Sequence, residues 1–251
     1  MNKTILADYV LHLADNPLIL GQRNSEWCGH GPVLEQDIAI TNISLDLIGQ
    51  ARSLYQYCAA LKGEGCTEDS LAYLRDARDF KNCLLLELPK GDWAHTITRQ
   101  FFFSTYQLLL YTRLQQSTDS NLAAIAEKSL KEVTYHVRWS SEWVIRLGDG
   151  TEESHLRMEK AIAELWPYTG ELFVPAPYET AATKEGIGVD VRTIKEGWQQ
   201  KLDLIFTEAT LPVPKEAWSQ AGGKEGVHTE HLGYILAEMQ FMQRAYPGME
   251  W

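Results

Sequence analysis

Between Asp92 and Asp119 the chain has no Asp or Glu, and apolar side chains recur there at spacings of three and four. Phe101-Phe102-Phe103 and Leu108-Leu109-Leu110-Tyr111 leave that stretch with almost no polar face. A helix apolar nearly all round must be surrounded by other elements. The spacing predicts a central buried helix from Trp93 to about Gln116, and the same period runs through most of the chain with few alternating runs that would mark strands. It predicts helices at roughly 4–21, 33–62, 67–87, 92–117, 119–147, 152–172, 190–209 and 228–246, which makes the fold class all-α.

The breaks have chemical reasons. Pro32 stands at the opening of the second helix, Lys62-Gly63-Glu64-Gly65 closes it, and Pro89-Lys90-Gly91 and Gly148-Asp149-Gly150 separate later ones. Asp190 is placed to cap a helix that begins at Val191. Phe173 to Val189, rich in Pro, Gly and Ala, reads as a linker. With 251 residues, 45% of them apolar, the expectation is one domain. Residues 1–172 would form its core bundle, with 173–251 supplying the linker and C-terminal helices packed on it.

A net charge of −11 and a pI near 5.1 work against nucleic acid or an anionic membrane as partner. Cys28, Cys58, Cys66 and Cys83 stand apart, without a Cys-x-x-Cys metal motif or a disulfide framework, which fits a reducing compartment. Asp8, His12 and Asp15 interrupt the N-terminal apolar residues, so neither a signal peptide nor a spanning helix is expected. The expected location is cytoplasmic.

Four-helix carboxylate proteins hold two irons with a Glu from each of two helices and a Glu-x-x-His from each of the other two. Measured against that requirement, the central helix offers no acid, only Gln100, Gln107, Arg99 and His95. On the second helix Glu35, Ala39, Asn42, Asp46, Gly49 and Ser53 share a stripe. That stripe is either a ligand row, a solvated face, or a buried network paired with Arg52 or Arg75. Asp76 and Asp79 share a face three residues apart, with Asp79 where a His ligand would stand, a poor exchange for iron; surface or inter-helix ion pairs of Arg75-Asp76 and Arg78-Asp79 are the more ordinary reading. Glu132 and His136 are one turn apart, but Tyr135 occupies the slot a Glu-x-x-His would need, so a Glu–His contact is the plainer reading. Literal Glu-x-x-His occurs at Glu152/His155, in an opening turn that favours Glu anyway, and at Glu225/His228, partly in a glycine loop.

That loop, Gly222-Gly223-Lys224-Glu225-Gly226-Val227-His228-Thr229-Glu230-His231, leads into the last helix. Three readings stand: an anion or CoA contact through Gly222, Gly223, Lys224, His228 and His231; a metal held by His228, His231 and Glu230; or simply a tight turn into a helix. Trp166, Trp198, Trp218 and Trp251 serve either an interface or an aromatic core.

Glu26-Trp27-Cys28-Gly29-His30, Leu34 to Ala39, Asn42 to Arg52, Lys131 to His136, Gly222 to Gly233 and Ala237 to Gln240, in that order, resemble the PaaC family of ring 1,2-phenylacetyl-CoA epoxidase components. The resemblance spans nearly the whole chain. It implies a ferritin-like bundle with additional C-terminal helices, acting as a structural subunit in aerobic phenylacetate degradation. The homologous catalytic A subunit would carry the di-iron centre, a small B subunit would bridge, and a reductase with flavin and an iron–sulfur cluster would draw on NADPH to epoxidise the ring of phenylacetyl-CoA. No catalytic residue and no cofactor is then expected in this chain. Glu35, Asp46, Asp76, Asp79, Glu132 and His136 would be the vestige of a metal site. The alternatives from other classes are an autonomous di-metal oxidase with off-pattern ligands and a module that binds CoA thioesters.

Overall fold

Asp92 and Asp119, which bracket the acid-free stretch, each become a helix N-cap. The Asp92 carboxylate accepts the His95 N–H at 3.0 Å, and Asp119 accepts those of Asn121 and Leu122 at 3.1 and 3.0 Å. They open α5 (Trp93–Leu114) and α6 (Ser120–Gly148). The computed structural model describes residues 3–63, 65–214 and 218–249, and it is all-helical, with no strand among them. None of the described helices is long and apolar enough to cross a membrane.

The chain divides into two compact units, Met1–Pro89 with Gly222–Trp251, and Lys90–Ala221. In the first, α1 (Lys3–Ser25) lies along α2 (Leu34–Lys62). A Cβ on Gly21 would stand 3.2 Å from Ile48 Cγ1, so glycine there permits the close crossing. Gly63 ends α2 at φ 91°, donating its N–H to Ala59 O at 2.9 Å.

The predicted third helix, 67–87, is not continuous. It resolves into α3 (Glu68–Tyr73), a 3₁₀ turn at Ala77–Asp79 and α4 (Leu84–Glu87). The ladder breaks because α1 takes its N–H groups: Lys81 N donates to Asp15 Oδ2 at 2.8 Å and Cys83 N to Asn16 Oδ1 at 2.8 Å. The unit closes with α10 (Glu230–Met239) and α11 (Phe241–Ala245), where one helix over 228–246 was expected.

The second unit is built on α5, which packs on α6, α7 (Glu152–Leu165) and α9 (Lys195–Glu208). As its composition requires, α5 is buried along most of its length. Phe102 meets Trp166, Trp198 and Phe206 at ring-centroid distances of 5.8, 5.7 and 6.2 Å, and the Trp198 indole N–H donates to Phe102 O at 2.9 Å. Trp198 therefore belongs to the core; Trp166 is half-buried, Trp218 is exposed, and Trp251 lies outside the described residues. The expected linker carries α8 (Pro177–Lys184), and Asp190 caps the next turn by accepting Arg192 N–H at 3.1 Å.

Candidate functional site

Burying an ionised group costs several kcal/mol unless partners replace its water. Three buried polar clusters show how this chain meets that cost.

The first surrounds Asp15, which is fully buried on α1. Its Oδ1 accepts the Tyr55 hydroxyl at 2.5 Å and Arg75 Nη2; its Oδ2 accepts Arg75 Nη1 at 3.0 Å and Lys81 N. The Arg75 guanidinium also lies 4.0 Å over the Phe80 ring. Burial, and then the Asp15 charge, hold the Tyr55 phenol well above its ordinary pKa. Burial alone would lower the Arg75 pKa; Asp15 and Tyr55 outweigh it, so the guanidinium stays charged.

The second cluster joins the C-terminal loop to α4. Glu87, fully buried, accepts His228 Nδ1 at 2.7 Å, Asn82 Nδ2 at 2.8 Å and Thr229 N at 2.6 Å. His228 Nε2 faces the Phe80 carbonyl at 2.9 Å. Both ring nitrogens thus meet acceptors, and an imidazole can satisfy both only as the cation. Burial would lower the His228 pKa, but the Glu87 hydrogen bond and charge, with the Phe80 carbonyl, raise it above its usual value.

The third lies on α5 and α6. Arg99, Gln100, Ser104 and Gln107 are buried on α5, and His136 and Ser140 on α6. Ser104 Oγ and Ser140 Oγ are 3.3 Å apart, and Gln107 Nε2 donates to the Tyr111 hydroxyl at 3.4 Å. Burial raises the Tyr111 pKa, Gln107 opposes, and the Glu132 charge raises it further.

The residues singled out from the sequence are scattered by comparison. Glu35 is exposed and Asp46 half-buried on α2. Asp76 and Asp79 are exposed: they cap the 3₁₀ turn, with Asp76 N donating to Asp79 Oδ2 at 3.1 Å and Asp76 Oδ1 accepting Arg244 Nη2 at 3.0 Å. They do not share the inward face of a helix, because no helix runs through them. Glu132 is half-buried and His136 fully buried on α6, while Tyr135 is exposed. Arg75 serves Asp15, and Arg52 pairs with Glu68 at 2.9 Å in the open.

The glycine loop is shaped by contact with the segment beneath it. A Cβ on Gly223 would meet Asn82 O at 2.3 Å, one on Gly226 would meet Arg78 O at 2.3 Å, and Gly226 and Gly222 have φ of 81° and 139°. Lys224 is buried, His228 is committed at both nitrogens, and His231 is half-buried on α10.

Asp15, Tyr55 and Glu87, which anchor the first two clusters, were not singled out as site residues by sequence reasoning. The signal was there: His12, Asp15 and Asn16 form a polar stripe at helical spacing inside an apolar helix.

A di-iron centre draws on carboxylate and imidazole donors. The central helix α5 supplies no carboxylate: its long buried polar groups are the guanidinium of Arg99, which has no acceptor atom, and the neutral amides of Gln100 and Gln107, while His95 is engaged by Asp92 and Glu164 at 2.7 and 2.8 Å. Among the described residues no group of three or more His, Cys, Asp or Glu side chains is placed to hold a metal ion. The donor set does not fit the group.

Residues 1–251 match the PaaA/PaaC family, described as phenylacetic acid catabolic protein. A relative from Escherichia coli (strain K12), named as the C component of 1,2-phenylacetyl-CoA epoxidase, is 50% identical over 246 residues, which is 98% of this chain and 99% of the relative. The kinship read from Glu26 to His30, Leu34 to Ala39, Asn42 to Arg52, Lys131 to His136, Gly222 to Gly233 and Ala237 to Gln240 is borne out: the chain belongs to the phenylacetic acid catabolic protein family.

Proposed function

We propose that this chain is the non-catalytic, structural subunit of a multicomponent di-iron monooxygenase that epoxidises the aromatic ring of phenylacetyl-CoA. It pairs with a homologous catalytic subunit that holds the irons. The single observation that carries this reading is that the buried α5 has no Asp or Glu along its whole length, from Trp93 to Leu114. A central helix without a carboxylate offers two irons none of the oxygen donors that such a centre draws from each helix of the bundle. On this reading the ferritin-like scaffold is kept for shape, and Asp46, Glu132 and His136 are what remains of the metal-site network. Glu35, Asp76 and Asp79 act as surface and capping groups. The Gly222–His231 loop serves to fasten the C-terminal helices rather than to hold CoA.

The test is iron accounting after co-expression with the homologous subunit. The expected result is near-stoichiometric iron in that partner, little in this chain after chelation, and turnover of phenylacetyl-CoA only when both are combined with reductase. Two coupled irons in this chain purified alone would overturn the reading and favour an autonomous oxidase.

A further inference from the structure

The solvent side of α2 carries large aliphatic side chains that stay open, with Ile48 at the edge also reaching Gly21 of α1. Leu34, Ile38, Leu45 and Ile48 are 72, 53, 61 and 38% exposed. With Thr41 between them they alternate by four and three, the spacing of a seam through which one helix packs on another. From Leu34 to Ile48 the seam rises ~21 Å. The opposite face of α2, through Ile40, Ile43, Leu47 and Leu54, is already buried. The seam is therefore a second apolar face on the same helix, and it adds little to this chain's own core.

Gly49 adds an independent sign. It sits exposed in mid-helix, and a Cβ built there has nothing within 4 Å. Alanine would fit and favour the helix by ~1 kcal/mol, so no need within the described chain accounts for glycine. A bare backbone at that point admits close approach from outside.

Charge selects the occupant. Glu35, Asp37 and Asp46 flank the seam, and Asp37 accepts the Gly31 and Gly29 N–H groups at 2.9 and 3.2 Å, which keeps it ionised. Two antiparallel copies of this chain would set Glu35 of one opposite Asp46 of the other, since both lie on one flank of the seam, and parallel copies would stack like on like. Each copy also carries a net charge of −11. A second copy is disfavoured, and a helix with basic flanks is complementary.

We propose that the Leu34–Ile48 seam of α2 docks an amphipathic helix with Lys and Arg on its flanks, supplied by the homologous subunit of the epoxidase. This rests on the subunit role proposed above. The test uses both full-length chains, purified separately, with affinity measured by calorimetry and α2 amides followed by hydrogen exchange. Leu45→Glu and Ile38→Glu should each weaken association by ~30-fold or more, the scale of a hot-spot loss. Asp46→Lys should weaken it as well, Tyr234→Glu on α10 should leave it unchanged, and binding of the wild-type chain should protect α2. Circular dichroism melts within ~2 °C of wild type would show that the variants fold, as expected for exposed positions. If the wild-type chains associate but the α2 variants bind as tightly and α2 gains no protection, the seam is not the interface, while the subunit role stands. If the wild-type chains do not associate at all, the subunit role itself fails. If this chain alone sediments as a dimer that Leu45→Glu splits, the occupant is a second copy and the proposal is overturned.

Discussion

Replacing Asp15 by asparagine changes one atom in a carboxylate whose two oxygens both serve buried donors. Asp15 Oδ1 accepts from Tyr55 and Arg75, and Oδ2 accepts from Arg75 and the Lys81 backbone. An asparagine amide presents its NH₂ to one of those two donor pairs whichever way it is flipped. One pair therefore loses its acceptor, and the buried Arg75 guanidinium loses its counter-ion. Breaking a buried pair in this way costs ~3–5 kcal/mol. At ~2–4 °C per kcal/mol for a chain of this size, Asp15→Asn should lower the melting temperature by ~6–20 °C. Thermal unfolding by circular dichroism measures it, with a double-mutant cycle as control. Once Arg75→Met has removed the cation, Asp15→Asn should cost much less, and the two losses should fall short of additive by ~1–3 kcal/mol. An Asp15→Asn chain that melts within ~2 °C of wild type, or a cycle with no coupling, would refute the argument that α1 holds the 71–83 segment through this carboxylate.

His228 supplies a pH dependence of known sign. Its folded-state pKa lies above the unfolded value of ~6.5, so its stabilisation is complete below about pH 6.5 and is lost as the pH rises through the folded value. The gap in melting temperature between wild type and His228→Gln should thus be larger at pH 6 than at pH 9, and a constant gap would rule out the imidazolium. Gly226→Ala, which combines φ of 81° with a 2.3 Å clash against Arg78 O, should destabilise by ~1–3 kcal/mol in denaturant titration; a neutral result would show that the loop yields easily. The Cys58 thiol, pushed up to about 12 chiefly by burial, should resist maleimide at pH 8 in the folded chain while exposed Cys28 reacts; equal rates would contradict the packing of α2 on α1. Glu132→Ala should lower thermal stability if Glu132 belongs to a residual metal-site network, and an unchanged melt together with unchanged assembly would end that idea.

The all-helical class was legible because its signal is local. Apolar periodicity, the cap at Asp190 and the glycine stop at Gly63 act within one or two turns, and the cap and the stop are found where the sequence sets them. The acid-free stretch told correctly that α5 is buried, since a helix without a polar face has only the core to occupy. Family membership was also legible, because it resides in the order of residues along the chain.

What only the tertiary structure decided was which polar groups are paired, and with what. The period of 67–87 reads as one helix, yet the segment breaks at 74–83 because Asp15 and Asn16, more than sixty residues away in sequence, take its backbone N–H groups. Asp76 and Asp79 consequently fall on the surface, while Asp15, a seeming blemish in an apolar helix, becomes the anchor of a buried triad. In the same way the glycines of the last loop look like an anion cradle until the carbonyls of Arg78 and Asn82 are found against them. A sequence states which side chains need a partner; only long-range folding brings the partner within hydrogen-bonding distance, and the free energy of that meeting overrides the local preference.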